Sequence, residues 1–201
     1  MKKIKISTVI SILLGVFVVA LVFSPDTKAW VSRGLMKIGL FKPDLARVEP
    51  TNDAASAGAP AAAPAKPSVF FADGAGNRID AANQAGKVVF INFWATWCPP
   101  CIAEMPSIDK LYAQFKDNED IVFVMADVDN QYEKSKQFMD DRNLNLPVHV
   151  PAGEIPGQWL GSAIPTTIIL DKQGQIAARH EGMGDYSRPE VVDFIQSLIA
   201  E

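Results

Sequence analysis

The spacing of hydrophobic positions changes character several times along the chain. Ile6 to Phe23, "ISTVISILLGVFVVALVF", is an uncharged apolar run. At ~1.5 Å per residue, a helix of that length just crosses a bilayer core of ~30 Å. Trp30, Val31, Leu35, Ile38 and Phe41 then share one arc at helical spacing, with Ser32, Arg33 and Lys37 off it. That pattern predicts a short helix resting in the membrane interface, although Gly34 and Gly39 suit an irregular juxtamembrane stalk equally well. Residues 51–68, "TNDAASAGAPAAAPAKPS", carry almost no large apolar side chain. Such a segment cannot offset the entropy of ordering and reads as a semi-extended tether. The expected organisation is an anchor with cytoplasmic lysines over residues 1–23, a juxtamembrane segment and tether over 24–68, and a folded domain over 69–201.

Within that domain the pattern alternates between strands and helices. "VFF" and "RID" flank Asp73-Gly74-Ala75-Gly76-Asn77 and predict a hairpin, whereas "KVVFINFW" is a continuous β-branched and aromatic run that suits a strand buried on both faces. Ile102, Met105, Ile108, Leu111, Tyr112 and Phe115 recur at helical spacing, with Pro106 inside the pattern as an expected kink. "IVFVMADV" predicts a second buried strand, and Asn130 with Glu133 a cap for a helix running to about Asp141. "TTIIL", the turn Asp171-Lys172-Gln173-Gly174 and "QIAARHEG" predict an antiparallel hairpin. Ser187-x-x-Glu190, with Pro189 in the first turn, opens a last helix that buries Val191, Phe194, Ile195, Leu198 and Ile199. The sum is an α/β domain with a mixed sheet and no internal repeat.

Composition and charge narrow the function classes. The 201 residues are 48% hydrophobic and 21% charged, enough to bury a real core, and the net charge of −4 comes with no basic stripe of the kind a phosphate backbone requires. Nucleic acid is excluded as a partner. Lys2, Lys3 and Lys5 precede the apolar run, which keeps that end in the cytoplasm. A cleaved signal peptide is the competing reading, but its apolar region is usually shorter, and residues 24–29, "SPDTKA", make a poor small-x-small cleavage site. On either reading, the chain beyond Phe23 is exported.

The only two cysteines stand three apart in "WCPPC", directly after the first buried strand. A bridge that closes so short a loop gains little stability, so the pair reads as chemistry rather than scaffolding. Haem attachment would need His after the second Cys, where Ile102 stands; zinc would need four ligands, and the only histidines, His149 and His180, lie far off. Both histidines read as structural or surface residues. Cys98 is expected at the start of the helix, where unpaired N–H groups and the helix dipole favour a thiolate, lowering its pKa below ~8.5. It is expected to be exposed and to react first. Cys101, one turn deeper, is expected to stay protonated until it resolves a mixed disulfide. Pro99 and Pro100 lack amide protons at little cost there and stiffen the loop.

"FWATWCPPC" followed by "IAEMP", and "IPTT" before a strand–turn–strand and final helix, resemble the membrane-anchored thioredoxin-like thiol–disulfide oxidoreductases of the TlpA/ResA type over residues 69–201. The resemblance implies a thioredoxin-like fold with a central sheet flanked by helices, and a redox-active Cys98–Cys101 disulfide in place of any cofactor or metal. It matches Glu104 to a family carboxylate. On a helix, Cys101 and Glu104 face the same way one turn apart, so the carboxylate is placed to take the Cys101 proton. It also matches Pro165 to a cis-proline facing the cysteines, which leaves Ile164 backbone groups for a substrate strand, with Trp97, Pro99, Gly182 and Met183 completing the rim. Where thioredoxin itself carries a buried Asp, six before the first cysteine, this chain has Asn92, which cannot titrate.

The implied activity is reduction of disulfides in exported proteins, apocytochrome c thiols among them, on the periplasmic side of the cell envelope, fed by a membrane dithiol carrier. An oxidase or isomerase, or a binding module with incidental thiols, is the alternative. The stretch between the second strand and "IPTT" is too short for the inserted helical domain of a DsbA-type oxidase.

Overall fold

The computed structural model describes residues 6–37, 43 and 68–201. The chain forms α1 (Ile6–Phe23), α2 (Pro25–Lys37), β1 (Phe70–Ala72), β2 (Arg78–Asp80), a 3-10 turn (Ala81–Asn83), β3 (Val88–Trp94), α3 (Pro99–Phe115), β4 (Ile121–Asp127), α4 (Tyr132–Asp141), β5 (Val148–Pro151), β6 (Thr166–Leu170), β7 (Ile176–Glu181) and α5 (Pro189–Ala200). Among the described residues, seven strands make one mixed sheet in the order β2-β1-β5-β4-β3-β6-β7. β3 lies parallel to β4 and antiparallel to β6, so its end is the point from which α3 departs.

All seven residues of β3 are buried, the outcome expected of a run with no polar face. Alternate positions serve different cores. Val88, Phe90 and Trp94 join α3, α4 and α5 in one cluster; Val89, Ile91 and Phe93 join Phe71, Ala81 and Trp159 in the other. β5 is a strand the sequence reading did not anticipate. Its four residues are too few to show an alternation, and pairing with β1 and β4 is what orders them.

Two expected caps differ. Asn130 does not cap α4; it takes a left-handed φ of 57°, and Gln131 is the N-cap without a side-chain bond. The turn is organised instead by Asp127, whose carboxylate accepts from the backbone N–H groups of Asp129 at 3.1 Å and Gln131 at 2.8 Å. α5 begins one residue later than Ser187 would place it, with Arg188 at the N-cap and no side-chain capping bond. Ser187 bonds backward to Asp185, which removes it from capping. Val191, Ile195 and Leu198 are buried as the spacing implies, while Phe194 and Ile199 are partly covered. Pro106 lies inside an unbroken α3.

The N-terminal apolar run is helical as α1. Among the described residues no helix is long and apolar enough to cross a membrane. Of the juxtamembrane segment, Ile38 and Phe41 lie outside the described residues, as does the tether up to residue 67.

The juxtamembrane segment is neither an isolated interface helix nor a stalk. α2 packs against α3, with Ala29 and Met36 buried in the cluster that holds both cysteines and α5. Asp26 pairs with Arg142, and Pro43 lies against Gly184. Packed core therefore extends N-terminal to the expected start at Val69. A fragment beginning at Val69 is expected to melt roughly 5–10 °C below one beginning at Pro25, since burying a Met side chain contributes about 1.5–3 kcal/mol and each kcal/mol moves the midpoint by a few degrees. Thermal unfolding of the two fragments checks this; equal midpoints would show that α2 adds nothing to the core.

Candidate active site

β3 ends at Trp94, and the chain turns through residues 95–97 to Cys98, the N-cap of α3. Pro99 and Pro100 fill the first helical positions, where a missing N–H costs nothing. Cys98 and Cys101 form a disulfide, Cα atoms 5.3 Å apart, and the Cys101 N–H donates to Cys98 Sγ at 3.3 Å. That N–H is one of the unpaired donors at the helix start, so the sulfur already occupies the place a thiolate would take. Cys101 is fully buried. Cys98, expected to be exposed, is only 3% so in this disulfide form, because its sulfur lies beneath the loop that carries Ile164.

The loop ahead of β6 faces the disulfide. The Ile164–Pro165 bond is cis, and the Ile164 carbonyl oxygen lies 3.9 Å from Cys98 Sγ. Gly182, at a φ of 96° that a side chain would strain, donates its N–H to the Pro165 carbonyl at 2.8 Å and ties the β7 end to the same loop. Met183 is largely buried in the core behind it. Trp97 is 55% exposed, and its indole N–H donates to Asp129 at 2.6 Å. A groove of about 250 Å³ runs between Trp97, Val128, Leu160 and Ile164. The structure thus gathers Trp97, Pro99, Ile164, Pro165 and Gly182 around the disulfide, and places Met183 beneath the rim rather than on it.

Glu104 is wholly buried, not a solvated helix residue. Oε1 accepts from the Asn92 side-chain amide at 2.8 Å, and Oε2 from the Gly184 N–H at 3.0 Å. Burial pushes its carboxyl up to about 8, against the opposing pull of those two donors. Asn92 also donates to Thr167 Oγ1 at 3.0 Å, which in turn accepts from the Tyr186 hydroxyl at 2.7 Å. Burial, with the nearby Glu104 charge, raises Tyr186 well above its ordinary value. Ser107, on α3, fastens the same loop by accepting from the Tyr186 N–H at 3.1 Å.

Gly184, Tyr186, Thr167, Ser107 and Asp129 are members of this site that sequence reasoning missed. Asn92 and Thr167 are 75 positions apart, Glu104 and Gly184 80, so no local spacing announces them. The one available signal was that Thr167 closes the quoted "IPTT". Among the described residues no group of three or more His, Cys, Asp or Glu side chains could hold a metal ion. The redox centre is the cysteine pair. His149 is mostly buried, with its ordinary value lowered by that burial, and His180 lies on β7; neither joins the disulfide.

The chain is similar to the thiol–disulfide oxidoreductase ResA of Bacillus anthracis, 29% identical over 133 residues that cover 66% of this chain and 75% of that protein. ResA of Halalkalibacterium halodurans is 37% identical over 109 residues, 53% of this chain and 61% of its own length. The fold is similar to the crystal structure of StoA from Bacillus subtilis, with a TM-score of 0.53 at 23% identity over 65% of this chain and 98% of that one. Residues 55–193 match the Redoxin family. With a buried carboxylate one turn past a helix-capping cysteine pair on this sheet, the chain belongs to the redoxin family as a thioredoxin-like thiol–disulfide oxidoreductase.

Proposed function

We propose that this protein is a membrane-anchored, extracytoplasmic disulfide reductase in which Cys98 attacks substrate, Cys101 resolves and Glu104 handles the resolving proton. The observation that carries the reading is Glu104: a fully buried carboxylate one helical turn past Cys101, held near 8, close to a thiol's ordinary ~8.5. Acid and base of similar strength exchange a proton at little cost, which is what a general base needs.

In the reduced protein the Cys98 thiolate attacks one sulfur of a substrate disulfide. The Cys98–substrate bond forms, the substrate S–S bond breaks, and the first substrate sulfur leaves as thiolate. Cys101 then gives its proton to the Glu104 carboxylate and attacks Cys98 Sγ. The second substrate sulfur leaves, two electrons have passed to substrate, and the protein is left with the Cys98–Cys101 disulfide. An extended substrate segment running past Ile164 and Pro165 would present its disulfide to Cys98, with a side chain in the groove beside Trp97.

Exposed apolar side chains along α1, from Ile6 to Val19, together with exposed Trp30 and Leu35 on α2, support a membrane anchor that continues into the interface. An exported compartment tends to oxidise thiols, so a reductant there draws its electrons from outside the domain, and a membrane dithiol carrier is the donor this anchorage suits. Exported thiol proteins, apocytochromes c among them, are the substrate class. The test is the reduction potential of the Cys98/Cys101 couple with its redox state in cells. A reductant is expected nearer ~−270 mV than ~−120 mV and mostly dithiol in vivo. A potential near the upper value with the pair held oxidised would make the protein an oxidase.

A further inference from the structure

On β3, Asn92 makes two bonds with one end of its amide and none with the other. Nδ2 donates to Glu104 Oε1 and to Thr167 Oγ1, while Oδ1, buried, has no hydrogen-bond partner. A buried idle acceptor is costly and calls for a reason. The arrangement satisfies an ionised Glu104, which accepts from both Asn92 and Gly184. Once protonated, Glu104 has a hydrogen to donate, and the atom facing it, Nδ2, is itself a donor. Turning the amide about its last torsion removes the conflict. Oδ1 then accepts from the Glu104 hydroxyl and from the Thr167 hydroxyl. Thr167 is free to donate because its oxygen already accepts from Tyr186. The amide keeps two bonds in either orientation, and the turn exchanges an idle Oδ1 for an idle Nδ2.

We infer that Asn92 is a positioning residue whose side-chain amide turns over with the proton on Glu104, donating to the carboxylate and accepting from the acid. The inference rests on the role given to Glu104 above. An Asp at this place would add a second charge to the same cavity; an amide can serve both protonation states without titrating. The groups around it are few. Glu104 and Cys101 come from α3, Tyr186 from the loop before α5, and uncharged Met125 is its register partner on β4. His180 is paired with Thr167 one strand further on. Tyr186, raised well above its ordinary value, stays neutral where Glu104 titrates.

The experiment uses the full chain in detergent micelles, oxidised, with ¹⁵N-labelled asparagine. The Asn92 side-chain amide signals, identified by their loss in Asn92→Ala, are followed from pH 5 to 10. One transition centred near that of Glu104, about 8, is expected, and it should vanish in Glu104→Gln. A flat response, or a transition that survives Glu104→Gln and so reports another group such as His180, would overturn the inference. Because the amide titration is read with no free thiol present, its failure leaves resolution by Cys101 untouched. Unchanged resolution in Glu104→Gln, by contrast, strikes the functional reading alone.

Discussion

In Cys101→Ser, mixed disulfides between Cys98 and substrate are expected to accumulate, because the first half of the exchange is intact and the second has lost its nucleophile. The size of the effect follows from proximity. A thiol held on the same helix turn as its target, with Cα atoms 5.3 Å apart in the product, acts as an internal reagent, and effective molarities for well-oriented groups reach about 10⁵–10⁸ M. Millimolar external thiol cannot replace that, so resolution should slow by at least about 10³-fold. Cys98→Ser should form no such adducts. Non-reducing gels of the two variants, with the partners identified after reduction, give the answer. Partners that stay bound to Cys98→Ser under reducing conditions would instead describe a scaffold whose thiols are incidental.

Glu104→Gln is expected to separate the two chemical steps and to change stability in a pH-dependent way. Formation of the mixed disulfide by Cys98 needs no proton from Cys101 and should change little. Resolution near neutral pH should slow by about 10²–10⁴-fold, the usual worth of a positioned base, and recover as rising pH ionises Cys101 unaided. Stopped-flow rates for both steps across pH would show it, and equal rates in mutant and wild type would leave solvent as the proton acceptor.

The equilibrium counterpart has a definite sign. The folded carboxyl lies near 8 against 4.5 ordinarily, so between those values the folded protein keeps a proton that the unfolded chain releases. Its stabilising contribution is complete below about 4.5 and is lost as pH rises through about 8. Glu104→Gln has no such loss. Its stability relative to wild type should therefore grow from pH 5 to pH 8 by up to about 1.4 kcal/mol for each pH unit. Denaturant unfolding of both oxidised proteins at pH 5 and 9 measures this, and parallel curves would mean that Glu104 does not titrate in the window.

These effects depend on contacts of very different visibility. The cysteines, β3 and the apolar stripe of α3 were legible because their signals are local: a seven-residue buried run, a motif at its end and a helical period of contacts with the sheet. Helix caps were less so. Asn130 has the chemistry of a cap, but Asp127, fixed at the end of β4, takes the N–H groups of the turn first. Glu104 could be placed one turn from Cys101 by spacing, yet spacing leaves open whether that face meets water or a core. α2 shows the same gap more plainly. The apolar arc read from the sequence is not the face that packs: Trp30 and Leu35 stay exposed, and Ala29 and Met36, on the opposite side of the helix, lie against the body of the domain, which only packing could decide.

Sequence alone determined the elements that local pattern controls: the alternation of strands and helices, and the cysteine pair at a strand-to-helix junction. Tertiary structure decided the environment around Glu104 beside the pair. It brought Asn92, Thr167, Gly184 and Tyr186 to Glu104 from separate segments of the chain, closed the cavity to water and so moved a carboxyl to about 8. The physical reason is that bond geometry and hydrophobic period act over a few residues, whereas desolvation depends on everything that surrounds a group once the chain has folded.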